Sequence, residues 1–334
     1  MEKIKNYPLV LEIISGSHLY GTNTEDSDKD YVGIILPSDK EVFGLLNMEE
    51  LDLSIKSKTE DGKNSKEAVD RKFYEFRKFI KLAKENNPNI LEILFADDKN
   101  IINISNIGEA LLDNYAMFID HRAIYIKFIS YAKSQKHKMI IKPENFQNLN
   151  EGLSFFYDYI NADSVINLSN EESIQASRKL VIELQSEIAN KKAPIEIKDS
   201  FIKVGDLNFD KSINVKSIIK KIQDRVDRAG HRKDLFLKYG FDTKYGSHCV
   251  RLLTEGISLL KENQITFPLY NAEFLKDIKY GKYTKEEVIA FIEEQEKEIT
   301  IYFENMKNYK THDFNKIEAF TINILKNHFY KTSG

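Results

Sequence analysis

The chain has 334 residues, 42% hydrophobic and 30% charged, which fits globular folding into two or three domains with a sizeable core. Its net charge of −3 excludes a molecule that binds polyanions over its whole surface, so any nucleic-acid contact has to use a local basic patch. Cys249 is the sole cysteine, which excludes an internal disulfide and a cysteine-based zinc site. No apolar run reaches membrane-spanning length and the start Met-Glu-Lys-Ile-Lys lacks a signal-peptide core, so the expected setting is cytoplasmic, with no membrane partner.

In chain order, Leu9 to Ile14 reads as a short apolar strand that delivers the turn Gly16-Ser17. Residues 29–36 read as a second strand, apolar on both faces and therefore buried, ended by Pro37. Leu51, Leu53 and Ile55 alternate with polar residues as a third strand. After Asp61-Gly62 a fourth runs from Glu67 to Phe73. Phe76, Phe79, Ile80 and Ala83 recur at helical spacing from about Tyr74 to Lys84, and Pro88 opens a further helix to Phe95. Beyond Ile104 the pattern is helical over 105–118, 121–139, 149–160, 171–190, 213–228, 244–262, 271–279, 284–308 and 314–330, with a small hairpin at 200–209 turning at Gly205-Asp206. The expected class is α+β: a mixed-sheet domain over 1–103, then a helical body over 104–334.

Chemistry concentrates near the N-terminus. Gly16 and Ser17 are followed, after ten residues, by Asp28-Lys29-Asp30. Small residues at a turn let backbone N–H groups approach phosphate oxygens. Carboxylates two apart on a strand share a face and can hold a pair of hard cations, which clamp the attacking and leaving oxygens of an in-line displacement. That layout suits transfer of a nucleotide from an NTP. Asp70, on the strand expected beside that of Asp28 and Asp30, is the candidate third acid. It is also placed to cap the helix that follows, and Asp52 and Glu67 are the fallback acids.

Two basic features lie in the helical body. Lys244, His248, Arg251 and Glu255 fall at i, i+4, i+7 and i+11 on one helical face, where a triphosphate or an RNA backbone could sit; a solvated stripe has the same pattern. Lys133, Lys136, His137 and Lys138, interleaved with Tyr125 and Tyr131, could track phosphates and stack bases, although tyrosines at this spacing also serve as core. Cys249 has no dyad partner in sequence reach and reads as packing.

The N-terminal segment resembles the DNA polymerase β-type nucleotidyltransferase superfamily, most closely the predicted nucleotidyltransferases found beside RNA ligases. The likeness rests on Gly16-Ser17, Tyr20-Gly21, Ser27, Asp28 and Asp30, then Asp70 with Tyr74 to Phe79, Asn87-Pro88 with Leu91-Glu92, Tyr131-Ala132 with Gln135, and Asp242-Thr243-Lys244 with His248 and Arg251-Leu252-Leu253. It is weakest over 139–230. It implies two Mg²⁺ (or Mn²⁺) ions on Asp28, Asp30 and Asp70, and an NTP, ATP by expectation, held with Gly16, Ser17, Tyr20, Lys244, His248 and Arg251. The implied reaction transfers a nucleoside monophosphate to a hydroxyl. An RNA 3′ end is the favoured acceptor; AMP transfer to a protein hydroxyl and a non-catalytic nucleotide- or RNA-binding regulator are the alternatives.

Overall fold

The computed structural model describes residues 7–25, 27–55, 69–140, 143–159, 194–198, 201–210, 213 and 215–331. They fall into two compact units, Met1–His137 with Thr243–Gly334, and Lys138–Asp242. The first unit is thus built from the two ends of the chain. A division at residue 103 coincides with neither unit and falls inside a strand, Ile101–Ile104.

The first unit carries a mixed sheet. Among the described residues it has five strands, β1 (Leu9–Ser15), β2 (Asp30–Ile35), β3 (Glu50–Asp52), β4 (Asp70–Glu75) and β5 (Ile101–Ile104), in the order β3-β4-β2-β1-β5. β2 runs parallel to β4, and the other neighbours are antiparallel. Residues 10–13 and 33–36 are buried without alternation, as expected for strands covered on both faces. β5 was not expected. It is a short edge strand, mostly exposed, and gives little apolar signal.

Between β1 and β2 lies the short helix α1 (Gly16–Tyr20), and α2 is Asp39–Val42. Helix α3 (Phe76–Lys84) buries Phe76, Phe79, Ile80 and Ala83, the stripe read from the sequence. Its N-cap is Glu75, whose carboxylate accepts from the backbone N–H groups of Arg77 and Lys78, so Asp70 does not cap it. Pro88 opens α4 (Pro88–Leu91), and the expected helix tightens into a 3₁₀ turn over Glu92–Phe95. α5 (Asn106–Asp113) and α6 (His121–Met139) follow.

The second unit contains α7 (Pro143–Tyr159), an antiparallel sheet β6-β7-β8 (Ile195–Ile197, Phe201–Val204, Leu207–Asp210) and α8 (Val215–Tyr239). The expected hairpin is β7–β8, with β6 added at its edge. Leu149, Phe156, Ile202, Val204, Ile218 and Ile222 form its core. Helix α8 runs eleven residues past the expected end at 228, because Ala229-Gly230 reads as a stop but lies inside the helix. The expected helix over 171–190 lies outside the described residues.

The chain then returns to the first unit through α9 (Thr243–Glu262), α10 (Ala272–Lys279), α11 (Lys285–Glu304) and α12 (Phe314–Lys331), close to the expected spans. α9 is buried nearly all round from Cys249 to Ile257 and packs on α10 and α11. Among the described residues no helix is long and apolar enough to cross a membrane.

Candidate active site

A cleft of about 560 Å³ opens in the first unit. One wall is the β1–α1–β2 segment, with Ser17, Tyr20, Ser27, Asp28 and Asp30. The other comes from α9 and α10, with Lys244, Ser247, His248, Arg251 and Lys279, and Tyr280 just beyond. The two walls join residues more than two hundred positions apart.

Gly16 has φ +64°, and a Cβ there would lie 2.5 Å from Oδ2 of Asp30. Only glycine both adopts that backbone without strain and leaves room for the carboxylate. Asp30 begins β2, while Asp28 stands in the segment ahead of it, so the two do not share a strand as the two-residue spacing suggested. The strand of Asp70 lies beside that of Asp30, as expected; the parallel β2/β4 ladder further pairs the two residues in register, and directly paired residues project from the same face. Asp70 is exposed and does not line the cleft, and its Oδ1 accepts from the Ser54 hydroxyl at 2.8 Å. Asp52 is exposed on β3 and accepts from the Ser54 backbone N–H; Glu67 lies outside the described residues.

The Asp30 carboxyl is pushed up to about 6, first by desolvation, then by the like charges of Asp70 and Asp28, against the weaker pull of His18 and Lys279. Carboxylate oxygens are the donor type that hard divalent cations take. Among the described residues no group of three or more His, Cys, Asp or Glu side chains is arranged as a ready-made metal site. The donor chemistry fits such ions.

The floor of the cleft has a different character. Arg251 is 3% exposed and Glu255 fully buried. Arg251 Nη1 donates to Glu92 Oε2 at 2.8 Å and to Glu255 Oε1 at 2.7 Å. The Tyr20 hydroxyl donates to both Glu92 oxygens at 3.0 Å, and its ring lies 4.2 Å from the guanidinium. Arg251 Nη2 faces the His248 ring at 3.3 Å. Two buried carboxylates share one guanidinium, so burial pushes Glu255 up to about 8 and also raises Glu92. The likeness that joined Tyr20, Glu92, His248 and Arg251 in sequence therefore corresponds to one buried network. Lys244 is exposed at the start of α9 and His248 is half-buried.

Sequence reasoning missed Lys279, Tyr280 and Ser247. They carry no local motif, and only the packing of α10 on α9 brings them to the cleft. In the basic cluster on α6, Lys136 and both tyrosines are engaged elsewhere, while Lys133 and His137 are exposed. Lys136 pairs with Glu293 and Glu296, Tyr125 stacks on Phe303 at 4.2 Å, and the Tyr131 hydroxyl accepts from Asn87. Cys249 is buried packing as expected: its thiol donates to the Ala132 carbonyl and is pushed up to about 12 by burial.

Residues 1–157 match the family model RlaP, the RNA repair pathway DNA polymerase beta family. This segment belongs to the polymerase β-type nucleotidyltransferase superfamily. The nucleotidyltransferase segment contains Gly16, Ser17, Asp28, Asp30, Asp70 and Glu92, but not α9 or α10. Over a longer span the chain is 22% identical across 298 residues to an uncharacterized 38.9 kDa protein, from the nrdC-mobD intergenic region of enterobacteria phage T4. That alignment covers 85% of this chain and 86% of the phage protein. No solved structure matches the chain.

Proposed function

We propose that the protein transfers a nucleoside monophosphate from an NTP, ATP first among candidates, to the 3′ hydroxyl of an RNA. The supporting observation is the in-register pair Asp30 and Asp70 beside the Gly16 turn, with Asp30 in a cleft whose far wall carries Lys244, His248 and Lys279. Asp28, Asp30 and Asp70 would hold two divalent cations, Mg²⁺ or Mn²⁺, which when bound neutralise phosphate charge and favour the attacking and leaving oxygens.

The chain's own residues do the rest. Gly16 leaves space for the Asp30 carboxylate. The Ser54 hydroxyl orients Asp70, which accepts the proton of the acceptor hydroxyl as that oxygen bonds to the α-phosphorus. The bond from that phosphorus to the bridging oxygen breaks, and pyrophosphate leaves. Lys244, His248 and Lys279 face the triphosphate, while Ser17 donates to it. Arg251 acts on the nucleotide indirectly, by bracing Tyr20 and His248 at the floor.

The test is to incubate the full chain with each α-labelled NTP, Mg²⁺ or Mn²⁺, and either RNA ending in a 3′ hydroxyl or total cell protein. Label in RNA lengthened at its 3′ end is the expected result. Label in protein instead would assign AMP transfer to a protein hydroxyl, and no label in either would leave a nucleotide- or RNA-binding regulator.

A further inference from the structure

Helix α10 ends at a firmly built corner. Gly281 has φ +72°, the left-handed backbone that lets a helix stop. Its N–H donates to the Ile278 carbonyl at 3.0 Å, and that of Lys282 donates to the Asp277 carbonyl at 3.0 Å. The Lys279 carbonyl, another orphan of the last turn, accepts from the Thr243 hydroxyl at the start of α9 at 2.8 Å. Beyond the corner Tyr283 packs edge-on against Phe274, with 5.0 Å between ring centroids. Tyr280 is the C-cap residue of α10, so its backbone is held from both sides. It is nonetheless 48% exposed, and it lines the cleft.

Two aromatic residues line the cleft, Tyr20 and Tyr280. Tyr20 is already engaged, its hydroxyl by Glu92 and its ring by the Arg251 guanidinium. The Tyr280 ring has the Lys279 ammonium 6.0 Å from its centroid, while about half of the residue stays open. Leu275 of the same helix adds apolar surface to this wall, and the other lining residues are polar or charged. Tyr270 and Tyr330 are more exposed still, but neither borders the cleft. A nucleotide is divided in the same way as this wall. Its phosphates carry charge, and its base carries a flat π face that stacks on aromatic rings whatever its hydrogen-bonding edge. Lys279 marks the phosphate end, since its charge reaches Asp30. Tyr280 follows it at a separation that a ribose can bridge.

We propose that Tyr280 stacks on the base of the incoming NTP and so sets which way the nucleotide lies in the cleft. The assignment rests on the reading of the cleft as an NTP site and names the residue that holds the base. It makes nucleotide affinity depend on a residue well outside the segment 1–157 that matches the family.

The chain has no tryptophan, so Tyr280→Trp places a single indole at this corner. The full-length variant is titrated with Mg²⁺ and the α,β-methylene analogue of ATP, which binds without transfer. Its emission is expected to fall with the analogue and to stay unchanged with tripolyphosphate, which has the phosphates and no base. By calorimetry, Tyr280→Ala should weaken the analogue at least about fivefold, the low end for loss of one base–aromatic stack. Tyr280→Phe should keep the parent affinity, because the ring and not the hydroxyl carries the contact. Tripolyphosphate should bind parent and variants alike. If Tyr280→Ala fails to fold by circular dichroism, Tyr280→Leu, which keeps apolar bulk without a π face, replaces it with the same expectation.

Unchanged affinity for the analogue in Tyr280→Ala would overturn the proposal. So would an equal loss for tripolyphosphate, which would make Tyr280 a support for Lys279. Quenching of Tyr280→Trp by RNA alone and not by the analogue would also overturn it, and would give the ring to the acceptor. The two readings fail separately. An NTP that stacks on Tyr280 without label reaching RNA sinks the transferase and keeps the stack. Transfer to RNA with an unaltered KM for ATP in Tyr280→Ala sinks the stack and keeps the transferase.

Discussion

The two charged regions of the cleft contain the same residue types and treat them oppositely. At the sheet, desolvation and then the like charges of Asp70 and Asp28 push the Asp30 carboxyl up to about 6. On the floor, Glu92 and Glu255 close around Arg251 at 2.8 and 2.7 Å, with Tyr20 and His248 packed on the guanidinium. Under the proposed function, the first arrangement would be completed by charge from outside the protein. The second finds its counter-charge within it, although Arg251 Nε and Glu255 Oε2 are buried without a hydrogen-bond partner among the described residues. A carboxylate whose neighbours are like charges belongs to binding and chemistry, whereas one that encloses a buried cation belongs to the fold.

The largest expected effect is at the sheet. Asp30→Ala should lower kcat by at least about a thousandfold, as expected when charge stabilisation at the reacting oxygens is lost. The melting temperature should hold or rise, since a source of repulsion is removed. Steady-state kinetics beside thermal denaturation checks both, and near-normal turnover with a lowered melting point would invert the comparison.

Arg251→Ala should do the reverse. Removing the shared partner of two buried carboxylates costs about 3–5 kcal/mol, readable by urea unfolding. Should the variant keep its stability and lose only nucleotide affinity, Arg251 is a ligand contact and the floor is not structural.

Asp70→Asn should reduce kcat by about a hundredfold with little change in nucleotide affinity, since accepting the acceptor's proton matters in the transition state. Ser54→Ala, which removes only the hydrogen bond orienting Asp70, should cost about tenfold or less. Equal KM effects in both, with kcat untouched, would detach Asp70 from the chemistry.

The smallest effect sharpens the floor. Glu255 titrates near 8 in the fold, above its unfolded value of 4.5, so between those values the folded state binds more protons than the unfolded one. Stability therefore falls as pH rises through this window. Glu255→Gln should flatten that decline, measured as the urea midpoint from pH 5 to 9, and a decline as steep as in the parent would move the proton to another group.

Much of this was legible in the sequence. Period and punctuation place β1, β2, α3, α6 and α9, and the buried β2 beside β4 brings Asp70 to Asp30. What stayed hidden depends on distant partners. Arg251 read as part of an anion-binding face because its guanidinium is claimed by Glu92, 159 positions away, and no local pattern shows such a claim. Lys279 and Tyr280 reach the cleft through helix packing alone. Asp70, read as the third acid, also allowed a helix-cap reading, because nothing local shows that Glu75, five residues on, takes that role. β5 is too short and too exposed to leave a signal.

The route of the chain through the cleft also has a consequence during synthesis. Asp30 leaves the ribosome early, and Lys279 follows only after the whole second unit has been made. At ordinary elongation rates that gap lasts roughly ten to fifty seconds. Through that interval the nascent chain has the acidic wall without the cationic one. Under the proposed function, nucleotide chemistry would begin only once α10 has been made.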